Sequence, residues 1–180
     1  MIIFLGALVD AEDALGGLGG SAYLQTVHGL KTGTPPRCDL DKERKLHDLL
    51  RVLIRSGVVK SAHDCSDGGL AVAMAESCIS QQVARDTPRL MGATLDLSAF
   101  PEVRLDALLF GEAQSRIIIS VKPEKAGTVL AEAKKAGIEA AQVGKTGGAE
   151  LQIRTARGTL SARVAELHDL WWNAIARAMK

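Results

Sequence analysis

The order of apolar runs predicts a layered domain of the α/β or α+β class. Three observations carry this. Ile117, Ile118 and Ile119 stand in a row within Arg116–Val121, a β-branched run that suits a strand buried on both faces. Leu46, Leu49, Leu50, Leu53 and Ile54 recur at the spacing of one helical stripe. Strand-like and helix-like segments alternate irregularly along 180 residues, a length that suits one well-buried domain over residues 1–180 and hardly two.

The elements follow in order. Ile2–Leu5 reads as an opening strand, and Gly16–Gly20 as a glycine-rich linker. Ser21 caps a short helix that runs to about Val27. Pro35 and Pro36 place 32–37 in a loop, and Asp39 or Asp41 opens the helix that carries the leucine stripe. Gly57 ends that helix. Val58–His63 is a short strand that feeds a glycine turn and then a helix of small residues with Leu70, Ala73, Met74, Ser77 and Cys78 on one face. Ala93–Leu97 is a strand between loops marked by Pro88 and Pro101, and Leu105–Leu109 is a helical turn. Pro123 suits the first turn of a helix that ends near Gly137. Glu139–Val143 and Glu150–Arg154 are strands around the Gly147–Gly148 turn. A last helix, about Ala162–Met179, sets Val164, Leu167, Trp171, Ile175 and Ala178 on one stripe, with Trp171 as core and Trp172 turned outward.

Composition excludes several classes of function. Hydrophobic residues make 47% of the chain and charged residues 24%, which argues against disorder. A formal net charge of +1 offers no field for nucleic acid or an anionic membrane. Aromatic residues at 3% remove the stacking platforms of single-strand binders. No stretch approaches the about 20 apolar residues that cross a bilayer. Met1–Val9 lacks a basic leader, and Asp10, Glu12 and Asp13 follow at once, so it is a poor signal peptide. Cys38, Cys65 and Cys78 form no metal-ligand spacing and read as reduced thiols of a cytoplasmic protein.

The densest chemistry lies in His63–Leu70. A strand that enters a glycine turn and then a helix leaves backbone N–H groups free at the positive end of the helix, which suits an anion. Gly68 and Gly69 let the backbone approach a ligand. Ser66 and Asp67 either cap the helix or touch a ligand hydroxyl. The turn lacks the ending of a P-loop and the spacing of a dinucleotide fingerprint.

Three separated stretches give this turn a context: Leu18–Leu24 preceded by Ile2–Gly6, Ser61–Glu76, and Leu109–Ile117. Together they resemble the C-terminal domain of the aminoimidazole ribonucleotide synthetase superfamily. More narrowly, they are similar to the second such domain of the phosphoribosylformylglycinamidine synthase family. The resemblance runs over nearly the whole chain and implies a three-layer α/β/α fold with a mixed, partly ferredoxin-like sheet. It implies a share in an ATP-dependent ligase of purine biosynthesis. There formylglycinamide ribonucleotide is activated by ATP as an iminophosphate, and ammonia from glutamine displaces the phosphate. ATP and Mg²⁺ are implied for the full-length enzyme, with most of their ligands on N-terminal domains that precede this one. The implied partners are those N-terminal domains and a glutaminase subunit or domain. The fragment is expected to be inactive alone, to need no cofactor of its own, and to self-associate through a face left uncovered.

The first, catalytic half of the family carries Gln-Asp-x-Gly-Ala-Ala-Gly at this turn. Here it reads His63-Asp64-Cys65-Ser66-Asp67-Gly68-Gly69, the form of the second half, whose nucleotide cleft is expected to be structural. His63 beside Asp64 suits either acid–base work or a fixed, hydrogen-bonded turn. Asp64 suits a cation or a cap. Ser66, Asp67, Gly68, Gly69, Ser21, Glu112 and Gln114 are the candidate phosphate or ligand contacts, and Arg116 is a possible partner for Glu112. Other C-terminal domains of the superfamily spell the turn differently. A free-standing binding or assembly module of the same fold is the alternative from another class.

Overall fold

The structure is a computed structural model that describes residues 1–7, 17–79, 90–100 and 103–180. Gly16, Pro88 and Pro101, placed in loops above, lie outside them, as do Val9, Asp10, Glu12 and Asp13. The strands are β1 (Ile2–Leu5), β2 (Val59–Asp64), β3 (Ala93–Leu97), β4 (Ile117–Val121), β5 (Ala140–Thr146), β6 (Glu150–Thr155) and β7 (Gly158–Arg163). The helices are α1 (Ala22–His28), α2 (Leu40–Arg55), α3 (Gly69–Ile79), α4 (Leu105–Phe110), α5 (Ala126–Lys135), α6 (Val164–Trp172) and α7 (Ala174–Ala178), with a 3-10 turn at Pro123–Lys125 before α5.

Side chains alternate across a strand, so an unbroken apolar strand needs cover on both faces. β1 is such a strand. Ile2 and Phe4 enter one core, Ile3 and Leu5 the other. β4 divides the same way: Ile118 goes to the first core, and Ile117, Ile119 and Val121 to the second. The first core is closed by α3, α4 and the start of α6, through residues such as Leu70, Met74, Leu108 and Val164. The second is closed by Leu46, Leu49 and Leu53 of α2 and Ala126, Val129 and Ala133 of α5. The result is the expected three layers.

The sheet has seven strands in the order β2-β4-β1-β5-β3-β6-β7. Neighbours are antiparallel except β3 and β6, so the sheet is mixed, as expected. Its first four strands and two helices follow the chain as β1-α2-β2, then β4-α5-β5. Their spatial order, β5-β1-β4-β2, is the ferredoxin-like split βαβ arrangement. The excursion α3-β3-α4 is inserted between its two halves. Asp64 at the end of β2 faces Ile117 at the start of β4, and Leu5 at the end of β1 faces Ile117 from the other side. The three motif stretches therefore leave or enter the sheet at one end.

The C-terminal helix differs from expectation. β7 pairs with β6 through Arg163, so the helix starts at Val164. Asn173 then breaks it into α6 and α7. Val164 is buried and Leu167 packs on the first core, but the large apolar residues of the later turns stand exposed. Trp171, expected in the core, is 45% exposed, close to Trp172 at 50%, and Ile175 is 77% exposed.

Candidate functional site

The site forms where the three motifs meet. The backbone N–H of Cys65 donates to the Arg116 carbonyl at 2.9 Å, which extends the β2–β4 pairing past the sheet. The N–H of Glu112 donates to the Gly17 carbonyl at 3.0 Å. Tyr23 stacks on Phe110 with ring centroids 4.9 Å apart. Glycine is required at two of these contacts. Gly17, at φ +80°, would place a Cβ 2.4 Å from the Ala113 nitrogen, and Gly69, at φ +66°, would place one 2.6 Å from the Gly111 carbonyl oxygen.

One atom joins all three. Oε1 of Glu112 accepts the N–H of Ala22, at the start of α1, at 2.8 Å. It also accepts the N–H of Gly68, just before α3, at 2.8 Å. Two N–H groups at the turns expected to receive an anion, those of Ala22 and Gly68, are therefore not free. They are satisfied by a carboxylate of the third motif, which suits the positive end of a helix as a phosphate would. Sequence reasoning found both turns and Glu112 but not their union.

The loop that presents Glu112 is fixed from below. Arg116 is buried, and its Nε donates to the Ala113 carbonyl at 3.0 Å while Nη2 donates to the Gly111 carbonyl. Burial pulls the guanidinium below its usual pKa, and its neighbours Cys65 and Glu112 oppose that. Ser115 holds φ +59°, a costly conformation for a residue with a side chain. Glu43 of α2 compensates: its Oε1 accepts the Ser115 N–H at 2.5 Å and the hydroxyl at 2.8 Å. Its Oε2 lies 3.1 Å from His47 Nε2. Glu43 and Ser115 were missed. Ser115 lay inside a recognised motif, but nothing in the sequence marks Glu43 among the polar residues of α2.

The remaining candidates separate. Ser21 is buried and caps α1, its hydroxyl accepting the Leu24 N–H at 3.3 Å. Ser66 donates its hydroxyl to Asp64, and that bond holds the Asp64 carboxyl below the usual range. The Ser66 carbonyl accepts the Gly69 N–H at 2.9 Å, which closes the turn. His63 faces away from the cleft: Nδ1 lies 2.7 Å from the Asp64 carbonyl oxygen and Nε2 3.0 Å from Oε2 of Glu76 on α3. Asp67 and Gln114 are exposed. Cys65 is buried, and desolvation pushes its thiol up to about 12, away from the thiolate form.

Asp64, Asp67, Glu43, Glu112 and Gln114 line a cleft of about 380 Å³ with Arg116 at its base. A second hollow of about 430 Å³, lined by Arg37 and Lys42, shares Gln114.

Comparison with known proteins places this geometry. Residues 2–155 match the family described as AIR synthase related protein, C-terminal domain. The chain belongs to this family. Among curated relatives, the phosphoribosylformylglycinamidine synthase subunit PurL of Anaeromyxobacter dehalogenans is 41% identical over 167 residues, 92% of this chain and 21% of that protein. The chain spans about a fifth of the length of the curated relatives it matches. Among solved structures, Thermotoga maritima PurL complexed with FGAR superposes with a TM-score of 0.71 at 20% identity, covering 93% of this chain and 27% of that one. The same protein complexed with ATP gives 0.66 at 19%, over 93% and 25%. At such identities these two share the fold.

The nucleotide that such relatives hold can be tested against the residues of this family member. At the glycine turn the Gly68 N–H is taken by Glu112 and the Gly69 N–H by the Ser66 carbonyl, and Glu43, Asp64 and Asp67 add further negative charge to the cleft. Among the described residues no three His, Cys, Asp or Glu side chains are grouped to hold a metal ion. The turn as it stands offers a triphosphate neither the Gly68 nor the Gly69 N–H.

Proposed function

We propose that this chain is the second C-terminal domain of phosphoribosylformylglycinamidine synthase. The whole enzyme converts formylglycinamide ribonucleotide to formylglycinamidine ribonucleotide, using ATP and ammonia derived from glutamine. The observation that carries the reading is 41% identity to a PurL subunit across 92% of the chain. The site is consistent with a supporting domain. Its three motifs are spent on one another, through Glu112, and among the candidate contacts Ser66, Asp67 and Gln114 stand exposed, with the Ser66 hydroxyl already given to Asp64. The partners of this reading are the N-terminal domains of the synthase and its glutaminase, and its cofactors, ATP and Mg²⁺, belong to the full-length enzyme. The setting is the cytoplasm, and no described helix is long and apolar enough to cross a membrane.

A graft tests this. Residues 1–180 replace the matching fifth of the Anaeromyxobacter dehalogenans PurL subunit, and synthase turnover is followed with glutamine and ATP. Retained turnover in the chimera, with none from the isolated chain, is expected. Loss of turnover in a folded chimera, or turnover by the chain alone, would overturn the reading and leave a free-standing module.

A further inference from the structure

We propose that Glu112 is the permanent anion of the glycine turn and shuts it to phosphate. This deepens the synthase reading, on which the choice of ATP as a competitor rests; the inorganic phosphate arm below is independent of it.

Four observations support the closure. The first is stoichiometric. Two backbone donors from different elements, Ala22 and Gly68, converge on one carboxylate oxygen at 2.8 Å each. An entering phosphoryl oxygen would have to evict that oxygen from both. The second is preorganisation. Glu112 sits on a loop whose carbonyls at Gly111 and Ala113 are held by the buried Arg116, and its own N–H is held by Gly17. A tethered, oriented group competes at an effective concentration far above that of a free ligand.

The third is charge. Glu43, Asp64, Asp67 and Glu112 line the same cleft against Arg116 and His47, so carboxylates outnumber basic groups there and a free dianion meets net like charge on approach. The fourth is space. A Cβ at Gly68 would meet the Val72 side chain at 2.5 Å, and one at Gly69 would meet Gly111 at 2.6 Å. The turn is packed closely against its own helix and against the Glu112 loop. A glycine turn that reads as a phosphate cradle in the sequence thus acts as a fastener, and nucleotide at this end of the fold must be held by other groups.

The test follows the amide resonances of Ala22 and Gly68 in the ¹⁵N-labelled chain during titration with inorganic phosphate and, separately, with ATP to millimolar levels. In the unaltered chain neither amide should move. In Glu112→Ala both should move together, with one shared midpoint, in the phosphate arm. Glu112→Gln keeps the oxygen and the shape, so it preserves the fold if the alanine variant does not. There hydrogen exchange at both amides should quicken about fivefold, the difference between charged and neutral acceptors, while β1 and β4 amides stay unchanged. Saturable shifts at Ala22 and Gly68 in the unaltered chain would overturn the closure. So would a folded Glu112→Ala whose two amides ignore phosphate, or an unchanged exchange rate in Glu112→Gln.

Discussion

Two regions of this molecule invert what their compositions suggest. The motif cluster around Glu112 is rich in glycine, serine and acid, yet it is tied together by backbone donors, a buried arginine and tight glycine contacts. The α6–α7 tail is rich in tryptophan, leucine and isoleucine, yet Leu170, Trp171, Trp172, Ile175 and Met179 stand exposed. The difference teaches that order follows from available partners, not from polarity. A polar loop is rigid when each donor finds an acceptor, and an apolar stripe is core only where another element lies beneath it.

The contrast breaks most sharply at Gly69. Its φ of +66° disfavours any side chain, and a Cβ would press on Gly111 and Phe110 backbone atoms at 2.6–2.9 Å. Gly111 belongs to the loop that presents Glu112, and Phe110 ends α4 just before it. Gly69→Val should cost on the order of 3–5 kcal/mol or prevent folding. Urea denaturation checks this, and a midpoint close to that of the unaltered chain would mean the cluster is softer than its contacts indicate.

Glu43 comes next. Removing its carboxylate in Glu43→Ala leaves the part-buried Ser115 N–H and hydroxyl without their acceptor, at a residue already held at φ +59°. A loss of about 1–3 kcal/mol is expected. Ser115→Gly, which relieves the conformation, should lose less. Equal losses in the two variants would show that the positive φ carries no cost here.

These two residues also mark how far the sequence could be read. α2, β1, β4 and the glycine turn were legible because their signals are local: a stripe at helical spacing, a run of β-branched residues, a Gly-Gly pair. The three motifs were legible as a set. Their joint was not, because Glu112 reaches partners 44 and 90 residues away, and no spacing encodes such a contact. β7 escaped for another reason. As an edge strand it leaves Gly158–Ser161 exposed, so it lacks the in–out alternation that announces a strand. The tail was misread because periodicity defines a face but says nothing of what packs beneath it.

The cysteines separate tied from untied regions chemically. Burial pushes the Cys65 thiol, at the entrance of the glycine turn, up to about 12 and Cys78 up to about 11, whereas Cys38 is exposed. Because these two folded values are raised above the ordinary 9.0, the associated stability is present below pH 9 and declines as pH rises from there through about 11 and 12. At pH 8 a thiol reagent should therefore label Cys38 at once, and Cys65 and Cys78 only as the chain unfolds. Rapid labelling of Cys65 in the native chain would place the entrance of the cluster among the loose parts of the fold.

The smallest effect on stability belongs to the tail. Trp171 and Ile175 lie four residues apart on either side of the break at Asn173, and both are exposed. Replacing both with serine removes no core contact, so stability should change by no more than about 0.5 kcal/mol. Association should respond instead. Five large apolar side chains within residues 170–179 form the kind of surface that draws a partner, and in the isolated chain a second copy is the available one. Light scattering at high micromolar concentration should show the unaltered chain self-associating and the Trp171→Ser, Ile175→Ser variant shifted to monomer. If both remain monomeric, the tail is simply solvated. If the double variant instead unfolds, the tail packs more closely than its exposure indicates, and the contrast with the Glu112 cluster fails.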